Sequence, residues 1–128
     1  MNYKNVYKGL ITLVLVVLVS SFTVEPTAKK FSPVGIWNYS VPGVQSGYEE
    51  GSMIIKEDGK DYKVSMALTE YYNVEAERVV YKRRALSFSF WVESEEILVS
   101  GTFDGDEFKG SLSYFDGNFD ITAKRTAK

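Results

Sequence analysis

The stretch from Phe103 to Phe119 contains the densest group of side chains suited to metal binding. It carries Phe-Asp-Gly-Asp and, twelve residues later, Phe-Asp-Gly-Asn. A calcium site takes about six or more oxygen ligands, usually from one acidic loop. Asp104, Asp106 and Glu107 supply three carboxylates without such a loop. Because Asp-Gly between alternating runs is a strong hairpin signal, we expect two turns of a β-meander and no metal site.

A second group of carboxylates lies in the middle of the chain. Asn73, Glu75 and Glu77 alternate along one run, so their side chains point the same way if the run is a strand. Two inward carboxylates would suit acid–base catalysis or a cationic ligand. We favour the alternative, a solvated outer face opposite Val74, Ala76 and Val80, because buried unpaired carboxylates are costly.

Two short charged segments are predicted to be surface turns. The triplet Lys82–Arg84 suits an anionic head group, but a solvated loop is the simpler interpretation. The stretch Glu93–Glu96 is likewise interpreted as a charged turn. With a formal net charge of −2, the chain offers no electrostatic reason to expect a nucleic-acid partner.

The chain has no His and no Cys. This composition excludes Ser-His-Asp triads, thiol nucleophiles, disulfides and most zinc sites. Gly-Ser pairs such as Gly51-Ser52 and Gly110-Ser111 have no histidine base, and no glycine-rich phosphate loop is present. We therefore expect a protein without catalytic activity or cofactor, whose core holds it together alone.

The N-terminal segment, residues 1–21, differs in composition from the rest. Lys4 and Lys8 precede the apolar run Leu10–Val19, and two serines follow it. This order is typical of a secretory signal peptide, with an uncleaved membrane anchor as the alternative. We expect export to the periplasm or the extracellular space, no membrane span after cleavage, and a linker at 22–33.

From Val34 onward, short runs of alternating apolar and polar residues are separated by turn residues. Tyr62–Leu68 and Leu86–Val92 show the alternation clearly. About eight such runs, joined by hairpin-length links, predict an all-β, antiparallel up-and-down meander over 34–126. Closure into a small barrel removes the sheet edges, and a two-layer β-sandwich is the alternative.

Gly35-Ile36-Trp37 opens the first run and resembles the Gly-x-Trp signature of the lipocalin and calycin superfamily. In that family, the Trp closes one end of the barrel and an Arg on the last strand packs over it. Arg125 ends the last run and matches that position. The layout of 34–125 is also similar to small exported bacterial β-barrels. The resemblance implies that Gly35, Trp37 and Arg125 close the barrel and that its interior binds a small ligand.

The candidate ligand-binding residues share the predicted inner face of the strands. Binding sites are mostly apolar with a few polar anchors. Aromatic side chains on an inner face also form plain core, and short strands can be filled completely by them. The candidates are Tyr39, Tyr62, Met66, Leu68, Phe88, Phe90, Phe103 and Leu112.

Two functions remain open at this point. A hollow barrel would bind a small apolar or amphipathic molecule. A filled β-domain would instead dock onto another protein of the cell envelope through an exposed apolar patch. An enzyme is the least favoured function because the chain lacks His and Cys.

The signal-peptide interpretation predicts that the mature protein begins near Phe22. Val19 and Ser21 then occupy the small-residue positions before the cleavage site. N-terminal sequencing of the exported protein should read Phe22 first. A membrane-bound chain that retains Met1 would show that the segment is not cleaved.

Overall fold

The computed structural model describes residues 30–115 and 117–128, so the predicted signal peptide lies outside the described residues. Within the described ranges the secondary structure consists of β-strands and turns, without a helix. The strands are β1 (Gly35–Ser40), β2 (Glu50–Asp58), β3 (Asp61–Thr69), β4 (Tyr72–Glu75), β5 (Glu77–Lys82), β6 (Ala85–Val92), β7 (Glu95–Asp104), β8 (Glu107–Tyr114) and β9 (Gly117–Ala127).

All nine strands belong to one antiparallel sheet, in the order β4-β3-β2-β1-β9-β8-β7-β6-β5. Neighbouring strands are consecutive along the chain except β1 and β9, whose pairing joins the first strand to the last. The sheet curls into a nearly closed barrel, because β3 also contacts β5. The predicted all-β meander is therefore confirmed.

The barrel closes along the stretch that the sequence predicts as one run. The chain divides there into β4 and β5 at Ala76, whose N–H donates to the Val64 carbonyl oxygen at 2.8 Å. β4 pairs with β3, whereas β5 pairs with β6. The two halves of the predicted run are therefore separate strands, and each forms one edge of the sheet. This division adds one strand to the number that the sequence predicts.

A β-bulge changes which side chains of β5 point towards the core. Its register with β6 shifts between Glu77 and Val80. Within that shift Arg78 takes a φ of 51°, a left-handed conformation that is uncommon for a residue with a side chain. Glu75 and Glu77 are exposed, as expected, but Val80 is also 58% exposed, and Tyr81 turns towards the core instead. The expectation that Val80 lies opposite the carboxylates was wrong, because the bulge reverses the alternation.

The two ends of the barrel carry different connections. The base carries the β2–β3, β5–β6 and β7–β8 turns and the residues that precede β1. The mouth carries the β1–β2 loop (residues 41–49) and the β3–β4, β6–β7 and β8–β9 turns. The base and the mouth are therefore the two places where the interior can be closed or left open.

The base is sealed by Trp37 and Arg125. Trp37 is fully buried, and its indole N–H donates to the Pro33 carbonyl oxygen at 2.9 Å. The Arg125 guanidinium carbon lies 4.8 Å from the Trp37 ring centroid, within the range of a cation–π contact. The same guanidinium donates to the carbonyl oxygens of Ser32 at 2.6 Å and Val34 at 3.0 Å.

Asp106 and Phe31 complete the base. The Arg125 Nε–H donates to an Asp106 carboxylate oxygen at 2.8 Å, and its backbone N–H donates to the Asp106 carbonyl oxygen at 2.9 Å. The Phe31 ring lies 5.4 Å from the Phe103 ring and contacts the guanidinium of Arg84 at 5.2 Å. Residues 31–33, predicted as the end of a linker, pack on the base because they supply an apolar ring and carbonyl acceptors to it.

The repeated Phe-Asp-Gly sequence occupies two different structural positions. Gly105 lies in the β7–β8 turn at the base with a φ of 59°, whereas Gly117 pairs with Tyr114 at the start of β9 with a φ of 131°. Both glycines have the predicted positive φ. Phe103 is 4% exposed in the core, but Phe115 is 89% exposed at the mouth. The sequence repeat is therefore not a structural repeat.

The sealed base predicts a large stability difference between the two tryptophans. Trp37→Ala should lower the free energy of unfolding by about 3–5 kcal/mol, because it empties a fully packed site. Trp91→Ala is the control, since Trp91 is 49% exposed, and should cost less than about 1 kcal/mol. Urea unfolding measures both values. Similar losses for the two variants would contradict the sealed base.

Candidate functional site

A cavity of about 130 Å³ lies at the mouth of the barrel. Its walls come from the mouth ends of β1, β3, β6, β7 and β8 and from the β1–β2 loop. A dry cavity of about 150 Å³ holds a molecule the size of benzene. The space therefore suits one ring or a short chain, and a larger molecule would extend beyond the mouth.

Several of the sequence-predicted candidates meet at this cavity. Each lies on a strand at an inward position, is buried, and projects towards the same space. They are Tyr39, Met66, Leu68, Phe90 and Leu112. The inner-face pattern therefore brings residues from four different strands to one apolar wall.

The remaining candidates lie away from the cavity and fill the barrel. The Phe103 ring centroid lies 4.8 Å from that of Trp37 at the base. Tyr62 is half-buried and contacts the Tyr81 ring edge-on at 5.1 Å. Phe88 is buried in the same core cluster. These three side chains act as packing residues, which closes the interior below the cavity.

The β1–β2 loop supplies wall residues that the sequence pattern misses. Val44, Gln45 and Tyr48 line the cavity from this loop. The loop is held by the Val41 N–H, which donates to the Glu49 carbonyl oxygen at 2.7 Å. Strand alternation cannot identify such residues because the loop follows no strand period. Two half-buried apolar side chains, Val44 and Tyr48, are the signal that the loop folds inwards.

The β6–β7 turn supplies the charged part of the cavity wall. Glu93 and Glu95 are exposed, as the predicted surface turn requires, but both also line the cavity. Val92 and Ile97 flank them with half-buried apolar side chains. Tyr114, from β8, lines the same space and stacks on Phe119 at 5.4 Å. The cavity thus has an apolar interior with carboxylates at its rim.

Tyr39 provides a polar group within the apolar wall. The residue is 4% exposed, and its hydroxyl has no hydrogen-bond partner among the described residues, although its oxygen is not completely enclosed. Burial raises the pKa of Tyr39 to about 12, so the hydroxyl is neutral at physiological pH. Gly51 pairs with Tyr39, and a Cβ there would lie 2.6 Å from the hydroxyl oxygen. Glycine at position 51 therefore makes room for this ring.

Two features are absent from the described part of the chain: a metal-binding group of side chains and a membrane-spanning helix. No group of three or more acidic, His or Cys side chains is placed to hold a metal ion in residues 30–115 and 117–128. The same residues include no helix with the length and hydropathy needed to cross a bilayer.

The chain matches no protein-family model and no curated protein. Among similar solved structures, a redesigned β-barrel is 15% identical with a TM-score of 0.53, and the match covers 73% of this chain and 90% of that one. The Echinococcus granulosus fatty-acid-binding protein 1 is 11% identical with a TM-score of 0.49, covering 74% and 98%. A point mutant of the fluorescent protein UnaG is 11% identical with a TM-score of 0.48, covering 75% and 97%.

The match to the redesigned barrel supports the β-barrel fold that the strand pattern predicts. At 15% identity it shows the fold alone. The function therefore has to be argued from the cavity.

The buried hydroxyl predicts a loss of stability at alkaline pH. The folded-state pKa of Tyr39 is about 12, against an unfolded value of about 10. Between these values only the unfolded state ionises, so the free energy of unfolding falls by about 1.4 kcal/mol per pH unit. Urea unfolding across this range should show a smaller loss for Tyr39→Phe than for the native protein. Equal losses would mean that Tyr39 is not protected from ionisation.

Proposed function

We propose that the protein is an exported, non-catalytic β-barrel that binds a small apolar or amphipathic molecule in the mouth cavity. The cavity itself carries this proposal. It combines an apolar wall, two rim carboxylates and the hydroxyl of the buried Tyr39, which has no hydrogen-bond partner among the described residues. Ligand sites commonly have this composition of apolar walls with a few placed polar groups.

The sealed base determines how a ligand would enter. Trp37 and Phe103 fill the interior at the base, and Arg125 covers the Trp37 ring. A ligand would therefore enter only through the mouth and place its apolar part inwards. With about 130 Å³ available, that part is one ring or a short aliphatic chain. Any polar part would remain at the rim.

The available side chains support binding over catalysis. The chain has no His or Cys. The acidic residues that line the cavity, Glu93 and Glu95, are exposed to solvent at its rim. A buried general base beside the apolar wall would favour an enzyme, but among the described lining residues the buried ionisable group is Tyr39, whose hydroxyl is neutral because burial raises its pKa. Export follows from the predicted signal peptide at residues 1–21.

A protein-interaction module in the cell envelope is the second candidate. Trp91 and Leu98 are 49% and 48% exposed on the outer face of β6 and β7. Trp91 pairs with Glu96, and Leu98 pairs with Ser89, so the two apolar side chains are diagonal neighbours. This candidate predicts that no small apolar molecule enters the barrel.

Filling the cavity should abolish ligand binding. Val44→Trp places a large ring in the space from the β1–β2 loop, where Val44 is half-buried. Saturation-transfer NMR with phenethyl alcohol should detect binding to the native protein and not to this variant. Val80→Trp is the matched control, because the same substitution falls on an exposed outer position and should leave binding intact.

Circular dichroism establishes that both variants are folded. Undiminished binding to folded Val44→Trp would move the site away from the mouth. No binding to the native protein would favour the interaction module.

A further inference from the structure

We infer that the ligand of the mouth cavity is a small amphipathic cation, with a ring or short apolar body and a protonated amine. This inference rests on the proposed ligand-binding function and adds the charge of the ligand to it. Three observations at the mouth carry it: the charge of the loops, the position of two carboxylates, and the available polar and aromatic groups.

The described loops of the mouth carry charge of one sign. Residues 41–50, 69–72, 92–97 and the described part of 113–118 contain six Glu and no Lys or Arg. Arg78 forms an ion pair with Glu96 from the side of the barrel. The other five carboxylates form no ion pair with a described residue. The mouth therefore attracts cations and repels anions before any contact is made.

Two of these carboxylates lie where they would contact a bound molecule. Glu93 and Glu95 line the cavity, and the described residues of the lining include no basic side chain. The β1–β2 loop adds two neutral polar groups, the amide of Gln45 and the hydroxyl of Tyr48. A molecule with its apolar end inside the cavity would place a charged end beside these carboxylates, so a cation gains an ion pair that a neutral molecule cannot form.

The wall beneath the rim provides further groups that suit an amine. The Tyr39 hydroxyl has no partner among the described residues, and it lies near the mouth because Gly51, against which it packs, is the second residue of β2. Its oxygen can accept an N–H bond. Tyr48, Phe90 and Tyr114 line the same space, and aromatic rings attract cations through their quadrupole.

The charge of the ligand can be tested with three probes of equal shape. Phenethylamine, phenethyl alcohol and hydrocinnamate share a ring and a two-carbon chain and end in a cation, a neutral group and an anion. At low salt the amine should bind at least about tenfold more tightly than the alcohol, and the anion should bind most weakly. Added salt should reduce the difference between the amine and the alcohol.

Two double variants test whether the tighter binding of the amine depends on the carboxylates of the cavity wall. Glu93→Gln with Glu95→Gln should weaken phenethylamine binding about tenfold and leave phenethyl alcohol binding unchanged. Glu49→Gln with Glu70→Gln removes the same charge from mouth loops outside the cavity lining, and should weaken amine binding much less. Titration calorimetry provides the dissociation constants, and circular dichroism verifies folding.

The results of these binding experiments distinguish failure of the cationic-ligand inference from failure of the ligand-binding proposal. If the alcohol and the amine bind equally, or if the two double variants behave alike, the inference of a cationic ligand is overturned while ligand binding stands. If none of the three probes binds the folded native protein, the mouth cavity is not a binding site, and both proposals are overturned. Preferred binding of the amine that depends on Glu93 and Glu95 supports both.

Discussion

The contacts of the Arg125 guanidinium hold the base of the barrel together. One side chain lies over the Trp37 ring, donates to the carbonyl oxygens of Ser32 and Val34, and pairs with Asp106. It therefore connects the last strand to the segment before the first strand and to the β7–β8 turn. A chain without cysteine cannot make this connection with a disulfide. A buried arginine with several acceptors is stable because its desolvation is compensated by hydrogen bonds and the aromatic contact.

This seal determines where the barrel can accept a ligand. Phe103 and the ring of Trp37 occupy the interior at the base, and the nearly closed sheet is joined at Ala76, whose N–H donates to the Val64 carbonyl oxygen. The cavity proposed for the ligand lies at the mouth, where the β1–β2 loop forms part of its wall. The charges also differ between the two ends, since the base carries arginines and carboxylates together, as in the Arg125–Asp106 pair, whereas the described mouth loops carry Glu and no Lys or Arg. Structural closure thus lies at one end of the barrel, and the proposed ligand-binding cavity lies at the other.

The sequence predicts the regular part of this structure well, because strand alternation is a local property of the chain. Inward positions such as Met66 and Phe90 follow directly from it. The features that the sequence does not predict arise from long-range contacts and from backbone geometry. The bulge at Arg78 has no local signal, since Arg is uncommon at positive φ, and it turns Val80 outwards. The role of Val44 depends on how a non-periodic loop folds over a cavity, which periodicity cannot reveal.

The proposed binding site is the cavity at the mouth. The most direct test is a map of backbone amide chemical shifts during titration of the protein with phenethylamine. Binding in this cavity should give shifts that cluster at Val44, Phe90 and Leu112 and do not extend to Arg125 at the base. Shifts centred on the outer face around Trp91, or no shifts at saturating probe, would contradict it.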